Sequence, residues 1–462
     1  MSITVNSEPA EHGAGYNQLV FDVTSTQTAQ PNFNFVIDVY VGGVRVNRQL
    51  YPKQPASTSL KVDVSPVVRN YLSADFLNAS STLLSANTGS RCPYYVQFGE
   101  AYNNASGTLI IYPDLTKSND KFAYNAVFDF EEFGKFEFSK MNIASGFTLQ
   151  ESIPNYKYAG QYKTITYFDP VTKIEGIVSN GSPNVLLTGE YATIMPPTLS
   201  PGLGITGTGI PANTTIVNVE YNAGLGSNII VLSNNGTSNV TTTLTASRRL
   251  SHIRVKQYDN AGSLLVTTTE GISQSGTTYV YNVNAEKISG FSLNANTAYY
   301  DVEFMNIISM TETLLETYRI DIVPACTKYG TYRLHWLNQY GGWEAYNFTA
   351  VNQKSIEVNR TQYRKMLPLG YIDADRLKVN YNTEITDNVL LNSDWITDAQ
   401  SEWMQGLFES PLIWLERSAT DFIAVQVTET GYQNQTYLNS GRQLHKITCN
   451  MQYSYNRYRQ SL

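Results

Sequence analysis

The chain has 462 residues, 32 basic against 39 acidic, for a net charge of −7, and only 15% of its residues are charged. This length exceeds what one hydrophobic core usually supports, so two to four domains are expected. The acidic balance lacks the basic stripe that neutralises phosphates, which argues against a nucleic-acid partner. The chain has no run of about 18 apolar residues that would predict membrane insertion.

Tyrosine is abundant in this sequence. The 33 Tyr outnumber the 32 Lys and Arg together, whereas a typical soluble domain is about 25% charged. Amphipathic rings are enriched where one protein surface is covered by another. A β-rich chain also uses aromatic residues for strand propensity, and composition alone leaves these two explanations open.

Residues 1–150 alternate apolar and polar side chains as half-buried strands do. A Gly42-Gly43 turn joins two of these segments into a hairpin. Ser65 is expected to cap a short helix that starts at Pro66 and buries one face, made of Val67, Val68, Tyr71 and Leu72. The expected strands are LVFDV, FNFVIDVYV, VRVNRQL, YYVQFGEAY and TLIIYP. We expect residues 1–150 to form an N-terminal β-sandwich with a small helix.

Residues 151–325 contain a second series of strands at spacings of about ten residues, which is typical of a sandwich. The expected strands are TITYF, NVLL, HIRVKQY, SLLVTTT, TYVYNV and YYDVEFM. We expect a second β-sandwich domain over 151–325.

A compositional island interrupts this second domain. Residues 174–247 contain no Lys, Arg or His. The segment GTGIPA at 207–212 loosely matches a dinucleotide-binding fingerprint, but that motif needs a helix N-terminus after it. The following NTTIVNV alternates like a strand, so we expect no nucleotide site. The island instead predicts a small β module inserted at 189–247, since loops tolerate such insertions.

Residues 326–462 are expected to form a C-terminal β-rich domain with a helix near 397–410. Thr397 and Gln400 have the spacing of a capping box, and Pro411 stops the run. The apolar face of this helix is expected to contain Ala399, Trp403, Met404, Leu407 and Phe408. Strands are expected at YRLHWL, YNFTAV, SIEVNRTQY, FIAVQVTET and LHKITCNMQYSYNRY.

The segment LHWLNQYGGWEAYNF within this domain places two glycines between large rings. Leu334, Trp336 and Tyr332 alternate with Arg333 and His335, as the buried and exposed faces of a strand would. Gly341 and Gly342 then form a hairpin turn. This pattern favours a framework role over the alternatives of a protein interface or a sugar-stacking platform.

Catalytic and metal-binding patterns are weak. The four histidines, His12, His252, His335 and His445, are isolated, and the carboxylates that a glycosidase would need all have structural explanations at strand or helix-start positions. Those carboxylates are Glu131, Glu132, Asp373, Asp375, Asp394, Asp398 and Glu402. We therefore expect no enzyme activity and no catalytic, cofactor-binding or metal-binding residue, and we expect no cofactor.

The three cysteines, Cys92, Cys326 and Cys449, are odd in number and far apart, which argues against a disulfide framework. We expect them to be buried, reduced thiols. The N-terminal MSITVNSEPAEHGAG lacks the pattern of a secretory signal, so no export signal is expected.

Several segments together resemble a recurrent group of virion structural proteins from tailed phages of Bacteroidota. They are FNFVIDVYVGG, VQFGEAY, YRLHWLNQYGGWEAYNF, LNSDWITDAQSEWMQGLFESPLIWLE and ITCNMQYSYNRYRQ, and the likeness spans nearly the whole chain outside the island. The island resembles small β modules of phage tail and fibre proteins. The resemblance implies a virion protein of the tail, baseplate or connector region, made in the bacterial host cytoplasm, and it implies no activity for any residue.

Two functions are compatible with these features. The first is a structural component that assembles as a ring with its own copies and other phage tail or connector proteins. The second is an adhesin module that binds a host surface glycan or receptor. Tyr453, Tyr455 and Tyr458 near the C-terminus are the candidate contact residues for assembly. They fit a half-buried last strand equally well.

Overall fold

The computed structural model of the protein describes residues 3–55, 57–76, 82–112, 115–128, 147–150, 153, 155–169, 171–188, 192, 199, 201–247, 250–272, 280–308, 311–325, 328–429, 431–432 and 444–459. These residues form a mainly β protein of several sheets with two short α-helices. The predicted multi-domain β-sandwich architecture, with a small inserted β module, is confirmed.

The N-terminal part is a sandwich of two sheets, antiparallel except for the parallel pair β2 and β11. Phe21, Phe35 and Phe98 are completely buried between them. The smaller sheet has the order β1-β3-β6, and the larger has the order β2-β11-β8-β4-β5 with β9 and β10 also paired to β8. The strands are β1 (Ile3–Ser7), β2 (His12–Ala14), β3 (Val20–Ser25), β4 (Asn34–Val41), β5 (Val44–Pro52), β6 (Ser59–Asp63), β7 (Leu84–Ala86), β8 (Arg91–Asn103), β9 (Leu109–Ile111), β10 (Thr116–Lys117) and β11 (Lys121–Tyr124).

The short helix α1 covers Ser65–Val68, followed by a 3-10 turn at Arg69–Tyr71. Ser65 is the first helical residue and makes no cap, contrary to prediction. The N-cap is Val64, which makes no side-chain cap, and the carboxylate of Asp63 accepts hydrogen bonds from the Ser65 backbone N–H at 2.9 Å and from its hydroxyl at 3.0 Å. Val68 is buried as predicted, whereas Tyr71 is exposed.

The second sandwich packs a four-stranded sheet on a five-stranded sheet. Tyr167 and Phe304 stack across it with ring centroids 4.3 Å apart. The first sheet has the order β12-β14-β23-β7, so β7 from the N-terminal part completes it, and the second has the order β13-β25-β24-β21-β22. The strands are β12 (Phe147–Thr148), β13 (Asn155–Lys157), β14 (Ile165–Phe168), β21 (His252–Tyr258), β22 (Leu264–Gly271), β23 (Val280–Val283), β24 (Tyr299–Ile308) and β25 (Thr311–Ile322), with a 3-10 turn at Ala285–Lys287.

The inserted module is a single six-stranded sheet between β14 and β21, in the order β17-β20-β15-β16-β19-β18. Its two edges are joined, because Ile205 N donates to Thr214 O at 2.9 Å and Ile216 N donates to Leu203 O at 2.8 Å. The closed sheet surrounds its own apolar core. The strands are β15 (Val171–Val178), β16 (Asn184–Leu187), β17 (Gly204–Thr206), β18 (Ile216–Asn222), β19 (Ser227–Leu232) and β20 (Val240–Ser247).

The module enters and leaves the second sandwich at one place. Val171 at its start is the strand partner of Ser247 at its end, and Leu250 N donates to Asp169 Oδ2 at 3.3 Å just outside it. The sheet begins with β15, which lies before residue 189, the predicted start of the insertion. The prediction placed the start too late because it assigned NVLL at 184–187 to the second sandwich, whereas that strand, β16, pairs with β15 and β19 inside the module.

The C-terminal domain is an eight-stranded sheet, β27-β26-β31-β32-β34-β29-β28 with β35 beside β29, and helix α2 packs on it. The capping box of Thr397 and Gln400 is confirmed, and the observed helix lies within the predicted range. Met404 and Leu407 are buried, whereas Ala399 is exposed. The elements are β26 (Tyr332–Leu337), β27 (Trp343–Phe348), β28 (Gln353–Arg364), β29 (Lys378–Asn392), β30 (Ile396–Thr397), α2 (Asp398–Glu409), β31 (Ile413–Ser418), β32 (Asp421–Val427), β33 (Leu444–His445), β34 (Thr448–Tyr453) and β35 (Arg457–Tyr458), with β30 paired to β33.

Candidate interaction surfaces

The turn between β26 and β27 joins the C-terminal domain to the rest of the chain. Asn338 Nδ2 donates to the carbonyl oxygen of Leu149 at 2.7 Å, while its Oδ1 accepts from Gly342 N at 2.7 Å. Val127 N donates to the Gln339 carbonyl at 2.8 Å. One asparagine side chain therefore shapes the turn and binds it to the second sandwich.

The glycine pair in this turn is required by close backbone contacts. Gly341 has φ +85°, and a Cβ there would lie 2.7 Å from the carbonyl oxygen of Asn125. A Cβ on Gly342 would lie 2.2 Å from the carbonyl oxygen of Leu149. Trp336 and Trp343 on the flanking strands are buried. The framework interpretation of this segment is confirmed.

Strand β26 is buried on both faces, contrary to the expectation that Arg333 and His335 lie on an exposed face. Both side chains are at most 2% exposed. Their face of the strand is covered by the second sandwich, since Arg333 Nε donates to the Tyr162 carbonyl at 3.1 Å and its Nη1 donates to the Tyr156 carbonyl at 3.2 Å. The guanidinium therefore acts as a bridge between domains.

Buried acids compensate these cations. Glu416 Oε2 forms an ion pair with Arg333, 3.2 Å from its Nε, and lies 2.8 Å from His335 Nε2. Lys163 of the second sandwich pairs with Glu344 of β27. Lys157 pairs with Glu286 in the same buried region. We call these seven side chains the buried charge network: Lys157, Lys163, Glu286, Arg333, His335, Glu344 and Glu416.

Burial sets the protonation of this network. Burial lowers the pKa of His335 to about 4, despite the opposing effect of Glu416, so the imidazole is neutral near pH 7. Burial likewise lowers the pKa of Lys163 to about 8, with Glu344 opposing the shift. Burial opposes ionisation of Glu416, but the hydrogen bond from His335 and the charge of Arg333 hold its pKa below the ordinary value. The buried charge network therefore connects the second sandwich to the C-terminal domain.

Strands β28 and β29 form an exposed two-stranded ribbon. Strands β28 and β29 pair from Gln353↔Leu390 to Arg364↔Lys378, while β34 and β35 reach only as far as Glu384 on β29. Residues 360–383, here called the arm, therefore extend past β34 and β35 as a hairpin, in which Val379 is buried and Thr383 O accepts from Arg459 N at 3.0 Å. The loop at its end, residues 365–377, is called the arm tip.

The arm tip exposes large apolar side chains. Met366 is 94% exposed and Leu369 is fully exposed. Further exposed apolar side chains of the arm are Tyr363, Tyr371, Ile372 and Tyr381. Soluble monomers rarely expose contiguous apolar patches of this kind unless the patch binds something.

A groove lies at the junction of three parts of the chain, with a volume of about 890 Å³. One wall is helix α2, another is the β26–β27 turn, and residues 72–74 and 125–127 of the N-terminal part complete it. Trp336 and Trp403 line the groove with ring centroids 4.9 Å apart. Neither indole Nε1–H has an acceptor among the residues that the structure describes. Glu402 and Glu409 add carboxylates to the helical wall.

The candidate contact tyrosines at the C-terminus have different environments. Tyr453 packs against the domain core, whereas Tyr455 and Tyr458 are 54% and 65% exposed. A shallow cavity of about 460 Å³ between Tyr455 and Ile356 adjoins them. Tyr453 thus has the predicted half-buried position in the last strands, and the other two are available at the surface.

The candidate carboxylates that the structure describes lie in the arm tip and around the start of α2. Asp373 and Asp375 lie in the arm tip, where Asp375 Oδ2 accepts from Ile372 N at 2.9 Å. Asp394 accepts from Trp395 N at 2.8 Å, Asp398 begins α2 and Glu402 is on its second turn. Glu131 and Glu132 lie outside the described residues.

The remaining candidate residues have structural positions. His12 is buried beside the Tyr124 hydroxyl at 2.8 Å, and His252 is buried beside the Ser251 hydroxyl at 3.0 Å.

Cys92 and Cys449 are buried free thiols, as expected, and burial raises the pKa of Cys92 to about 11. Cys326 and the side chain of His445 lie outside the described part. The GTGIPA segment is a turn that leads into β18.

Within the described ranges, no group of three or more His, Cys, Asp or Glu is placed to hold a metal ion. Among the same residues, no helix has the length and apolar character needed to cross a membrane.

Sequence reasoning missed the arm and the groove. It predicted β28 from SIEVNRTQY but not its exposure. The signal for the arm was the apolar MLPLGYI between strands rich in polar residues. The groove had no local signal, because its walls come from segments far apart in the chain.

The sequence matches no protein-family model, and a search of curated proteins finds no relative.

Proposed function

We propose that this protein is a structural component of a tailed-phage virion that forms a ring in the tail, baseplate or connector region. Its partners are its own copies and neighbouring tail proteins, and its location is the virion. The sequence resemblance suggests the phage setting. The observation that carries the assembly role is the arm, a hairpin whose apolar tip is exposed to solvent.

Physical reasoning links such an arm to assembly. Exposed apolar surface is costly unless a partner covers it. Stable assemblies bury on the order of 2,000 Å² or more per interface, with aromatic-rich centres. A projecting hairpin contacts a different patch on its neighbour, and identical copies that meet through two different patches close into a ring when the rotation allows.

Native mass spectrometry and analytical ultracentrifugation of the purified chain test this proposal. We expect discrete higher-order species at micromolar concentration. Replacing the arm residues 361–382 with a two-residue Asn-Gly turn should shift them toward the monomer, with an unchanged circular dichroism spectrum per residue apart from the removed ribbon. A wild-type chain that stays monomeric at the highest soluble concentration would contradict ring formation by its own copies.

A second candidate function is supported by the inserted module, which exposes Val217, Tyr221 and Leu225 on and beside strand β18. An exposed apolar strand on a separately closed sheet suits a host-surface contact. Binding of the full chain to host cell envelopes, lost when the module is removed, would support an adhesin role. Equal binding with and without the module would contradict it.

A further inference from the structure

We propose that the arm tip of one copy occupies the groove of a neighbouring copy. This inference rests on the proposed ring and names the contact that builds it. In this contact the apolar side chains of the tip pack against the groove wall around Trp403, and the basic residues in and beside the tip face the carboxylates on α2.

The arm tip cannot be bound in the groove of its own chain as the structure stands. Met366 and Leu369 are almost completely solvent-exposed, whereas a side chain within the groove would contact its walls. Among the described residues, the donor surface and the acceptor surface are therefore both free in one copy. They are also different surfaces, so the contact repeats from one copy to the next, as a ring requires.

Charge complementarity identifies the arm as the occupant. Within residues 360–383 there are five basic residues, Arg360, Arg364, Lys365, Arg376 and Lys378, against Asp373 and Asp375, for a net charge of +3. The whole chain carries −7, so the rest carries −10 (−7 less +3). The helical wall of the groove contributes Glu402 and Glu409 and no basic residue. Opposite potentials steer association and fix its register.

The groove also matches the tip in size. Its volume of about 890 Å³ is within the roughly 300–1,000 Å³ of ligand-sized pockets. The ring of Trp403 on the helical wall is only partly buried, so an occupant of the groove can contact it.

The alternative occupant is residues 129–146 of the same chain, which follow the groove residues 125–127 in sequence. This segment has four acidic and two basic residues. Its net charge of −2 has the same sign as the groove carboxylates, which disfavours it. The test must therefore distinguish occupation of the groove by residues 129–146 from occupation by the arm tip of another copy.

Charge reversal with rescue tests the contact, using the full chain and the concentration at which oligomers dissociate. Lys365→Glu and Glu402→Lys should each weaken association by roughly tenfold or more, since like charges are then juxtaposed. The double variant should recover most of the loss. Leu369→Asp should weaken association similarly, whereas the control Leu225→Asp, at an exposed leucine of the module, should not. Circular dichroism checks that each variant is folded.

A photo-crosslinking amino acid at position 405, on the groove face of α2, gives an independent readout. The expected product joins this position to residues 365–371 of another copy. A product with residues 129–146 of the same chain would overturn the inference. Oligomers that form normally despite the arm and groove variants would also overturn it, while leaving the proposed ring intact. A wild-type chain that is monomeric would contradict both the arm-in-groove contact and the proposed ring.

Discussion

Lys163 Nζ lies 3.4 Å from Glu344 Oε2, and neither side chain is more than 2% exposed. The two residues belong to different domains and are separated by a large part of the chain. A charge buried without its partner costs several kcal/mol, so each residue depends on the other across the domain boundary. The buried charge network is therefore expected to determine whether the C-terminal domain docks correctly.

Removing one partner of this pair should destabilise the docked protein. Lys163→Met removes the cationic partner of the buried Glu344 and should cost roughly 3–5 kcal/mol of unfolding free energy. Lys163→Met with Glu344→Gln keeps an acceptor for Asn338, whose amide donates to Glu344 at 3.2 Å, and should recover most of the loss. Urea unfolding followed by tryptophan fluorescence measures both. Equal stability of wild type and the single variant would contradict this.

The pH dependence of stability should report the buried imidazole of His335. Its pKa is lowered to about 4 by burial, from an ordinary 6.5. Between these values the unfolded chain binds the proton and the folded chain does not. Stability is therefore fully present above pH 6.5 and declines as the pH falls toward 4, by about 3 kcal/mol from this residue.

His335→Gln removes this titration and can retain a hydrogen bond to Glu416. Urea midpoints at pH 7, 5.5 and 4.5 should decline less steeply for the variant than for wild type. The other histidines and the carboxylates apart from Glu416 contribute equally to both proteins, and a glutamine amide can replace the hydrogen bond that Glu416 receives from the imidazole, so the difference reports the titration of His335. Parallel declines in the two proteins would show that the imidazole is not buried as described.

The turn glycine Gly341 should tolerate alanine poorly because of its surroundings as well as its φ. Gly107 has a similar φ of +80° and open space within 4 Å of where a Cβ would stand, whereas a Cβ at Gly341 would meet the Asn125 carbonyl at 2.7 Å. Gly107→Ala should cost about 1–2 kcal/mol from the backbone conformation alone. Gly341→Ala should cost clearly more. Equal costs, measured by thermal unfolding, would mean that the turn does not contact the N-terminal part so closely.

Much of the fold was predictable from local pattern. The alternation in FNFVIDVYV and HIRVKQY predicted β4 and β21, and the capping box predicted α2, because these signals depend on residues near one another. Strand β29 was missed because its sequence KVNYNTEITDNVLLN mixes polar and apolar positions. Its pairing with β28 and β34 supplies the stability that its own sequence does not indicate.

The sites were less predictable. The sequence predicted that Arg333 and His335 lie on a solvent-exposed face of the strand, since charged residues are rarely fully buried. Their burial depends on Glu416 and on the carbonyls of Tyr156 and Tyr162, which are far away in sequence. The exposure of the arm is likewise a property of the assembled sheet.

The inserted module should be removable. Its end strands pair with each other from Val171↔Ser247 to Val178↔Val240, so the two ends of the host chain are close. Deleting residues 171–247 and inserting a short Gly/Ser linker should leave the remaining domains folded, since closing a short loop costs little entropy. Soluble protein with an unshifted main unfolding transition is expected. Insoluble product with several linkers would contradict independent folding of the module.

The position of this chain in intact particles tests the central claim most directly. A cryo-electron microscopy reconstruction of the virion that encodes it should place several copies around the tail axis, in contact with one another or with neighbouring tail proteins. The arm of each copy should lie against the next. Absence of the chain from purified particles, or its presence as isolated monomers that touch no neighbour, would contradict the account.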